Sequence, residues 1–169
     1  MPRKIIFLDR DGTINERPEK TRYVTKWEDF KFLPGAIEAM KMLYNSGYEI
    51  YLITNQAGVG RGFMSLEDLE KIHLNLKNEL SKSSVVIRGV YFCPHGWNDG
   101  CVCRKPNIGL FLQAARENSF DLSKAVFIGD DERDLQAGQN AGIMTYLIDH
   151  ENNLFDIACK LTNQFPDTL

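Results

Sequence analysis

No apolar run in this 169-residue chain approaches the roughly 18 residues that a membrane-spanning helix needs, which excludes a helical membrane protein. The run Ile5-Ile6-Phe7-Leu8 meets charge at once in Asp9-Arg10-Asp11 and is too short for a signal-peptide core; the expected location is the cytoplasm, with no membrane partner. Positive charge is not in excess either. Lys and Arg number 20 against 23 Asp and Glu, a net charge of −3, and no basic stripe is visible, so nucleic acid is not expected as a partner. Internal repeats, low-complexity stretches and long linkers are missing. With 43% hydrophobic residues the chain reads as one domain, residues 1–169, able to build its own core. Histidine is scarce. His73 and His150 have no partner pattern and read as ordinary surface or core residues, and Cys159 stands alone as a half-buried thiol.

What is present is an alternation of short apolar runs with helical periodicity. Lys4 to Leu8 reads as a buried strand. Pro34 suits the first position of a helix whose stripe is Ile37, Met40 and Leu43/Tyr44, and Gly47 ends it. Glu49 to Ile53 is the next strand. Ser65 with Asp68 forms a capping box, and Leu66, Leu69, Ile72, Leu76 and Leu80 share one face of the helix that follows. Val90 to Phe92 is a strand, and Ile108, Phe111, Leu112 and Ala115 mark another amphipathic helix. Ala125 to Ile128 and Met144 to Ile148 are strands, with a helix after Asp131 and a closing helix through Leu154, Ile157, Ala158 and Leu161. Strands alternating with helices argue for an α/β fold with a mostly parallel sheet. Ligands of such sheets sit beyond the carboxyl ends of the strands.

Polar residues follow four of the strands: Asp9 and Asp11, then Thr54 and Asn55, then Arg104 and Lys105 after a loop, then Asp130, Asp131 and Asp134. Five aspartates on one edge repel one another by about 4 kcal/mol per close pair at intermediate dielectric. A hard divalent cation with oxygen ligands, Mg²⁺, offsets that repulsion. Metal with Arg104 and Lys105 makes a site attractive to a phosphate dianion.

Asp9-Arg10-Asp11-Gly12-Thr13 resembles the D-x-D-G-T signature of the haloacid dehalogenase superfamily of aspartate-nucleophile phosphatases. Ile50 to Thr54, Lys105 and Gly129-Asp130-Asp131-Glu132-Arg133-Asp134 resemble its second, third and fourth motifs, in family order. The resemblance covers roughly residues 3 to 150 and implies a Rossmann-like three-layer sandwich. It implies that Asp9 is the nucleophile, forming an aspartyl-phosphate, and Asp11 the general acid and base. It implies Mg²⁺ held by the Asp9 side chain, the Asp11 carbonyl and Asp130, with Thr54 and Lys105 gripping the phosphoryl oxygens. Asp134 orients Lys105 or metal-bound water on this reading, and Asp131 is solvated or supports the site from behind.

Cys93-Pro94-His95, five further residues and Cys101-Val102-Cys103 give a C-x-H-x₅-C-x-C pattern. Three thiolates and one imidazole complete a tetrahedral Zn²⁺ shell with no open position, so the expected role is structural. The loop runs directly into Arg104-Lys105 and would hold that pair in place.

This zinc loop is similar to that of a capless branch of the superfamily, the heptose 1,7-bisphosphate 7-phosphatases and histidinol-phosphate phosphatases. Residues 14–33 are too few for a cap and are expected to form a flap and a substrate-facing loop. Tyr23-Val24 with Phe30 to Gly35, Thr54 to Gly62 and Cys103-Arg104-Lys105-Pro106 look like the heptose enzymes. That resemblance implies a phosphorylated sugar as partner, hydrolysis at its 7-phosphate in heptose synthesis for lipopolysaccharide, and contacts from Asn55, Gln56, Arg61 and Arg104. Two departures stand against it. The short x₅ spacing resembles the histidinol-phosphate enzymes, the alternative reading, and Asp131 replaces a lysine common in heptose enzymes. A monomer is expected. A nucleic-acid end phosphatase of the same superfamily and a receiver-type domain that keeps its phosphoryl group are the competing classes; net charge disfavours the first, and the D-x-D spacing with the zinc loop the second.

Overall fold

The computed structural model describes residues 2–19 and 22–163. Five strands form one parallel sheet: β1 (Lys4–Leu8), β2 (Tyr48–Asn55), β3 (Ile87–Cys93), β4 (Ala125–Gly129) and β5 (Met144–Leu147), in the spatial order β3-β2-β1-β4-β5. The helices are α1 (Ala36–Asn45), α2 (Ala57–Gly60), α3 (Leu66–Lys82), α4 (Gly109–Asn118), α5 (Glu132–Ala141) and α6 (Leu154–Thr162).

β1 is central, and its side chains alternate between two cores because successive residues of a strand face opposite ways. Ile6 and Leu8 join Ile50, Leu52 and Ile128 under α1, α3 and α6. Ile5 and Phe7 join Tyr51, Ile53, Phe111 and Phe127 under α4 and α5. This is the expected three-layer arrangement. The chain order reverses at β1, so a crevice opens beyond its carboxyl end, flanked by the ends of β2 and β4.

Local signals set several boundaries. Ser65 and Asp68 make the expected reciprocal capping box on α3, and Gly47 (φ +85°) follows the last turn of α1. Three details differ from expectation. Pro34 lies outside α1, because Gly35 caps it with φ +77° and gives the carbonyl that accepts from Ala39 N–H; the chain arrives from a bridge between Asn15 and Phe32 and turns sharply enough to need glycine. Leu66, at the first turn of α3, projects past the core and is 45% exposed. Leu112 points to solvent, and Leu110, Phe111 and Ala114 form the buried face of α4. Residues 110, 111 and 114 share one side, whereas 112 is turned about 100° beyond 111.

Phe111 sits edge-on to Phe7 and Phe127, with ring centroids 5.1 Å from each. Phe111→Ala is expected to lower stability by about 3–5 kcal/mol, read from the midpoint of denaturant unfolding; a loss under about 1 kcal/mol would show that the second core collapses around the gap.

Candidate active site

Asp9 is the first residue beyond β1, tied by its amide to the Ile128 carbonyl at 3.0 Å. Its carboxylate meets Lys105, whose Nζ donates 2.8 Å to Asp9 Oδ1 and 3.0 Å to the Ile53 carbonyl. The same Nζ pairs with Asp134 Oδ1 at 2.6 Å. Asn55 fixes the backbone that carries Lys105, accepting from Lys105 N–H and donating to its carbonyl. Burial raises Asp9 to about 8, and Asp134 and Asp130 add to the shift while Lys105 opposes it. Burial alone would lower Lys105, but Asp9 and Asp134 overcome it and hold the ammonium above its ordinary value.

Asp9, Asp130 and Asp134 bring carboxylate oxygens within 4.8 Å of one another. Asp130 Oδ1 is buried without a hydrogen-bond partner, although burial, partly offset by Arg17, raises that carboxyl. Gly12 (φ +88°) leaves room for it, since a Cβ there would fall 1.9 Å from Asp130 Oδ2. Converging acidic oxygens, one of them orphaned, fit a hard divalent cation. Asp134 also accepts from the amides of Asp130 and Asp131, so it shapes the turn as well as holding Lys105.

Asp11 belongs to a second hydrogen-bond network at the same cavity. It accepts from Arg10 Nε (3.0 Å), Asn15 Nδ2 (2.8 Å) and Gln56 Nε2 (3.1 Å). Arg10 is wholly buried, and sequence reasoning passed over it because it lies inside the D-x-D signature. Its Nη1 lies 3.1 Å from His73 Nε2, which accepts as a neutral imidazole: burial, with Arg10 beside it, lowers His73 to about 3. His73 thus has a partner that no sequence pattern revealed. Gln56, expected against substrate, is buried and bridges Arg10, Asp11 and Thr54. Cys159 is buried on α6 rather than half-buried.

A cavity of about 490 Å³ opens above these groups. Asp9, Asp11, Thr54, Asn55, Arg104 and Lys105 line it, as do Tyr23 and Arg133, which the sequence placed in motifs without a role, and Arg17 and Trp97, which it did not single out. Arg104 Nη1 is buried there with no protein partner. Asp131 caps α5 and lies between two guanidiniums, with Arg17 Nη2 at 2.7 Å and Arg133 Nε at 2.8 Å. The anion at position 131 therefore leaves the rim cationic. Arg61, expected against substrate, is not among the lining residues; its guanidinium stacks 3.9 Å over the Trp97 ring. The flap spans 14–33, with Lys20 and Thr21 outside the described residues, and it supplies Arg17, Tyr23 and the Asn15–Phe32 bridge.

Cys93, His95, Cys101 and Cys103 converge beside the cavity as free thiols and imidazole. His95 Nδ1 lies 3.4 Å from Cys93 Sγ and 3.1 Å from Cys103 Sγ, and Cys93 Sγ lies 3.5 Å from Cys101 Sγ. This donor set and spacing fit a tetrahedral zinc shell.

The family model for polynucleotide kinase 3 phosphatase matches residues 4–162. The chain belongs to this family of haloacid dehalogenase superfamily phosphatases. It is 41% identical to the D-glycero-beta-D-manno-heptose-1,7-bisphosphate 7-phosphatase of Helicobacter pylori, over 97% of this chain and 95% of that one. It is 39% identical to the D-glycero-alpha-D-manno-heptose-1,7-bisphosphate 7-phosphatase of Campylobacter jejuni, over 89% and 85%. The D,D-heptose 1,7-bisphosphate phosphatase of B. bronchiseptica, solved with magnesium and phosphate, superposes with a TM-score of 0.88 at 30% identity, covering 96% of this chain and 99% of that one.

With Asp9 lifted to about 8, a proton would compete with a cation for that carboxylate. Mg²⁺ affinity is expected to rise between about pH 6.5 and about pH 8.5, with proton release on binding, measured by calorimetry of the metal-free protein. Equal affinity and no proton release would contradict the raised Asp9.

Proposed function

We propose that this chain removes the 7-phosphate from D-glycero-D-manno-heptose 1,7-bisphosphate through an aspartyl-phosphate on Asp9, as a cytoplasmic, monomeric, single-domain enzyme. The observation that carries the reading is the cavity: acidic nucleophile and acid at its floor, and an unpartnered Arg104 guanidinium in its wall. Phosphorylated sugars with two phosphates need both a reaction centre and a second cationic grip, and Arg17, Arg104 and Arg133 all line this cavity. The two relatives support the same class of substrate, being named for its two anomers. Histidinol phosphate, the alternative suggested by the short zinc loop, is not favoured by them.

An Asp9 oxygen attacks phosphorus and the bond to the sugar oxygen breaks. Asp11 gives its proton to that leaving oxygen. Water then attacks the aspartyl-phosphate, Asp11 takes a proton from it, and inorganic phosphate leaves with Asp9 restored. Thr54 and Lys105 hold the transferring phosphoryl oxygens, Asp134 keeps Lys105 in position, and Arg10 with Gln56 aims Asp11. Mg²⁺, when held by Asp9, Asp130 and the Asp11 carbonyl, supplies positive charge that offsets the phosphate and the clustered carboxylates. Zn²⁺ on Cys93, His95, Cys101 and Cys103 fixes the loop that presents Arg104 and Lys105.

Phosphate release should be compared on both anomers of the heptose bisphosphate, on histidinol phosphate and on a 3′-phosphorylated oligonucleotide, each with Mg²⁺. A clear preference for a heptose bisphosphate is expected; a preference for either other substrate would overturn the assignment. Asp9→Asn should abolish turnover with the fold retained by circular dichroism, and normal turnover by this variant would remove Asp9 as nucleophile. Metal analysis of reduced protein should find about one zinc per chain, and none would remove the zinc site.

A further inference from the structure

Three segments from different parts of the chain meet at the mouth of the cavity: the flap after β1, the turn after α2 and the cysteine–histidine loop after β3. Arg61 joins them. Its Nη1 donates 2.8 Å to the Tyr23 hydroxyl, and its Cζ lies 3.9 Å from the ring centre of Trp97, 5.1 Å from Phe63 and 5.8 Å from Tyr23. Behind it the backbones are in contact. Gly60 N–H donates 2.7 Å to the Pro94 carbonyl, and a Cβ on Gly60 would fall 2.5 Å from the Gly96 amide nitrogen. Gly96 N–H is itself turned onto Asp99 Oδ2 at 2.6 Å. The backbone that carries Trp97 is therefore fixed next to Gly60, and the indole itself meets Arg61.

This guanidinium is engaged by aromatic faces rather than by the cavity. Trp97 and Tyr23 line the cavity, whereas Arg61 does not. Trp97 remains 53% exposed although Arg61 covers part of it. An indole held at the rim of a cavity whose floor is charged offers an apolar face to a ligand that is ionic at one end and carries C–H surface in the middle. A sugar ring bearing phosphates has that division. Fixing the indole before the ligand arrives also removes the entropy cost of ordering it on binding.

We propose that Trp97 is the wall against which the sugar ring packs, and that Arg61 is a positioning residue that holds this indole rather than a ligand for phosphate. The proposal rests on the sugar-phosphate reading above and adds a specificity residue to it.

The test uses the full chain with Mg²⁺ and compares kcat/KM on heptose 1,7-bisphosphate with that on glycerol phosphate, which has no ring. Trp97→Leu is expected to lower this selectivity ratio about tenfold, through KM on the sugar, and Trp97→Phe to restore most of it. Arg61→Gln should lower the ratio as well, and the double variant should fall no further than Trp97→Leu alone, because one residue acts through the other. Additive losses would make Arg61 an independent substrate contact and overturn its positioning role. An unchanged ratio in Trp97→Leu would overturn the wall while leaving the substrate reading intact. No hydrolysis of heptose bisphosphate by the unaltered enzyme would overturn the substrate reading and the wall with it.

Fluorescence gives a readout apart from turnover. The chain has two tryptophans, and Trp27 is stacked on Phe30 with ring centres 4.8 Å apart and does not line the cavity. Heptose 1-phosphate should change the emission saturably in the unaltered chain and not in Trp97→Phe. The same change in Trp97→Phe, or its absence in the unaltered chain at saturating product, would overturn the proposal.

Discussion

A single ammonium group buried between two carboxylates organises this site. Lys105 Nζ meets Asp9 at 2.8 Å and Asp134 at 2.6 Å, and it also reaches the Ile53 carbonyl near the end of β2. Without that charge, Asp9, Asp130 and Asp134 would face one another with nothing between them, a repulsion of about 4 kcal/mol per pair at intermediate dielectric. With it, the ends of β1 and β2, the turn before α5 and the loop after β3 are drawn to one point. Burial makes this arrangement costly and therefore specific. An ion pair in a dry site is worth having only if its geometry is good and its remaining donors are matched. The Ile53 carbonyl meets that demand by accepting from Nζ, and Asn55 fixes the lysine backbone.

Around this centre the molecule divides its labour. The floor is built from strand ends, which the two cores hold rigidly, and it carries the clustered carboxylates. A second buried network, Arg10 with Asp11, Gln56 and His73, fixes the Asp11 carboxylate as Lys105 fixes that of Asp9. The mouth is built from loops and the first turn of α5. It carries Arg17, Arg104 and Arg133, the Asp131 carboxylate between two of them, and the aromatic cage of Arg61. The acidic cluster thus rests on the sheet, and the mouth rests on segments outside it.

The motifs at the strand ends and the four zinc-type ligands were legible because their meaning lies in short spacing. Asp9 and Asp11 are two residues apart, and Cys93, His95, Cys101 and Cys103 span one loop. Local caps were legible for the same reason, Ser65 with Asp68 above all. Expectation and structure part where residue type alone does not fix the angle or the path of the chain. Leu112 has the right type for the buried face of α4 but the wrong angle, and Pro34 yields the cap to Gly35 because the preceding chain arrives from the Asn15–Phe32 bridge.

The functional residues divide along the same line. By itself, the sequence determined the α/β class, the parallel sheet, the acidic cluster at the strand ends and the resemblance to aspartate-nucleophile phosphatases. Apolar periodicity and short motif spacing are properties of neighbouring residues, and they survive without knowledge of the fold. Only the tertiary structure decided that Gln56 and His73 serve Arg10 and Asp11, that Asp131 stands between two arginines, and that Arg61 lies against Trp97 rather than in the cavity. Each of these includes a contact between side chains 30 or more residues apart, as His73 meets Arg10 across 63 positions and Arg17 meets Asp131 across 114. No local pattern encodes such a meeting; the packing of the sheet, flap and loops does.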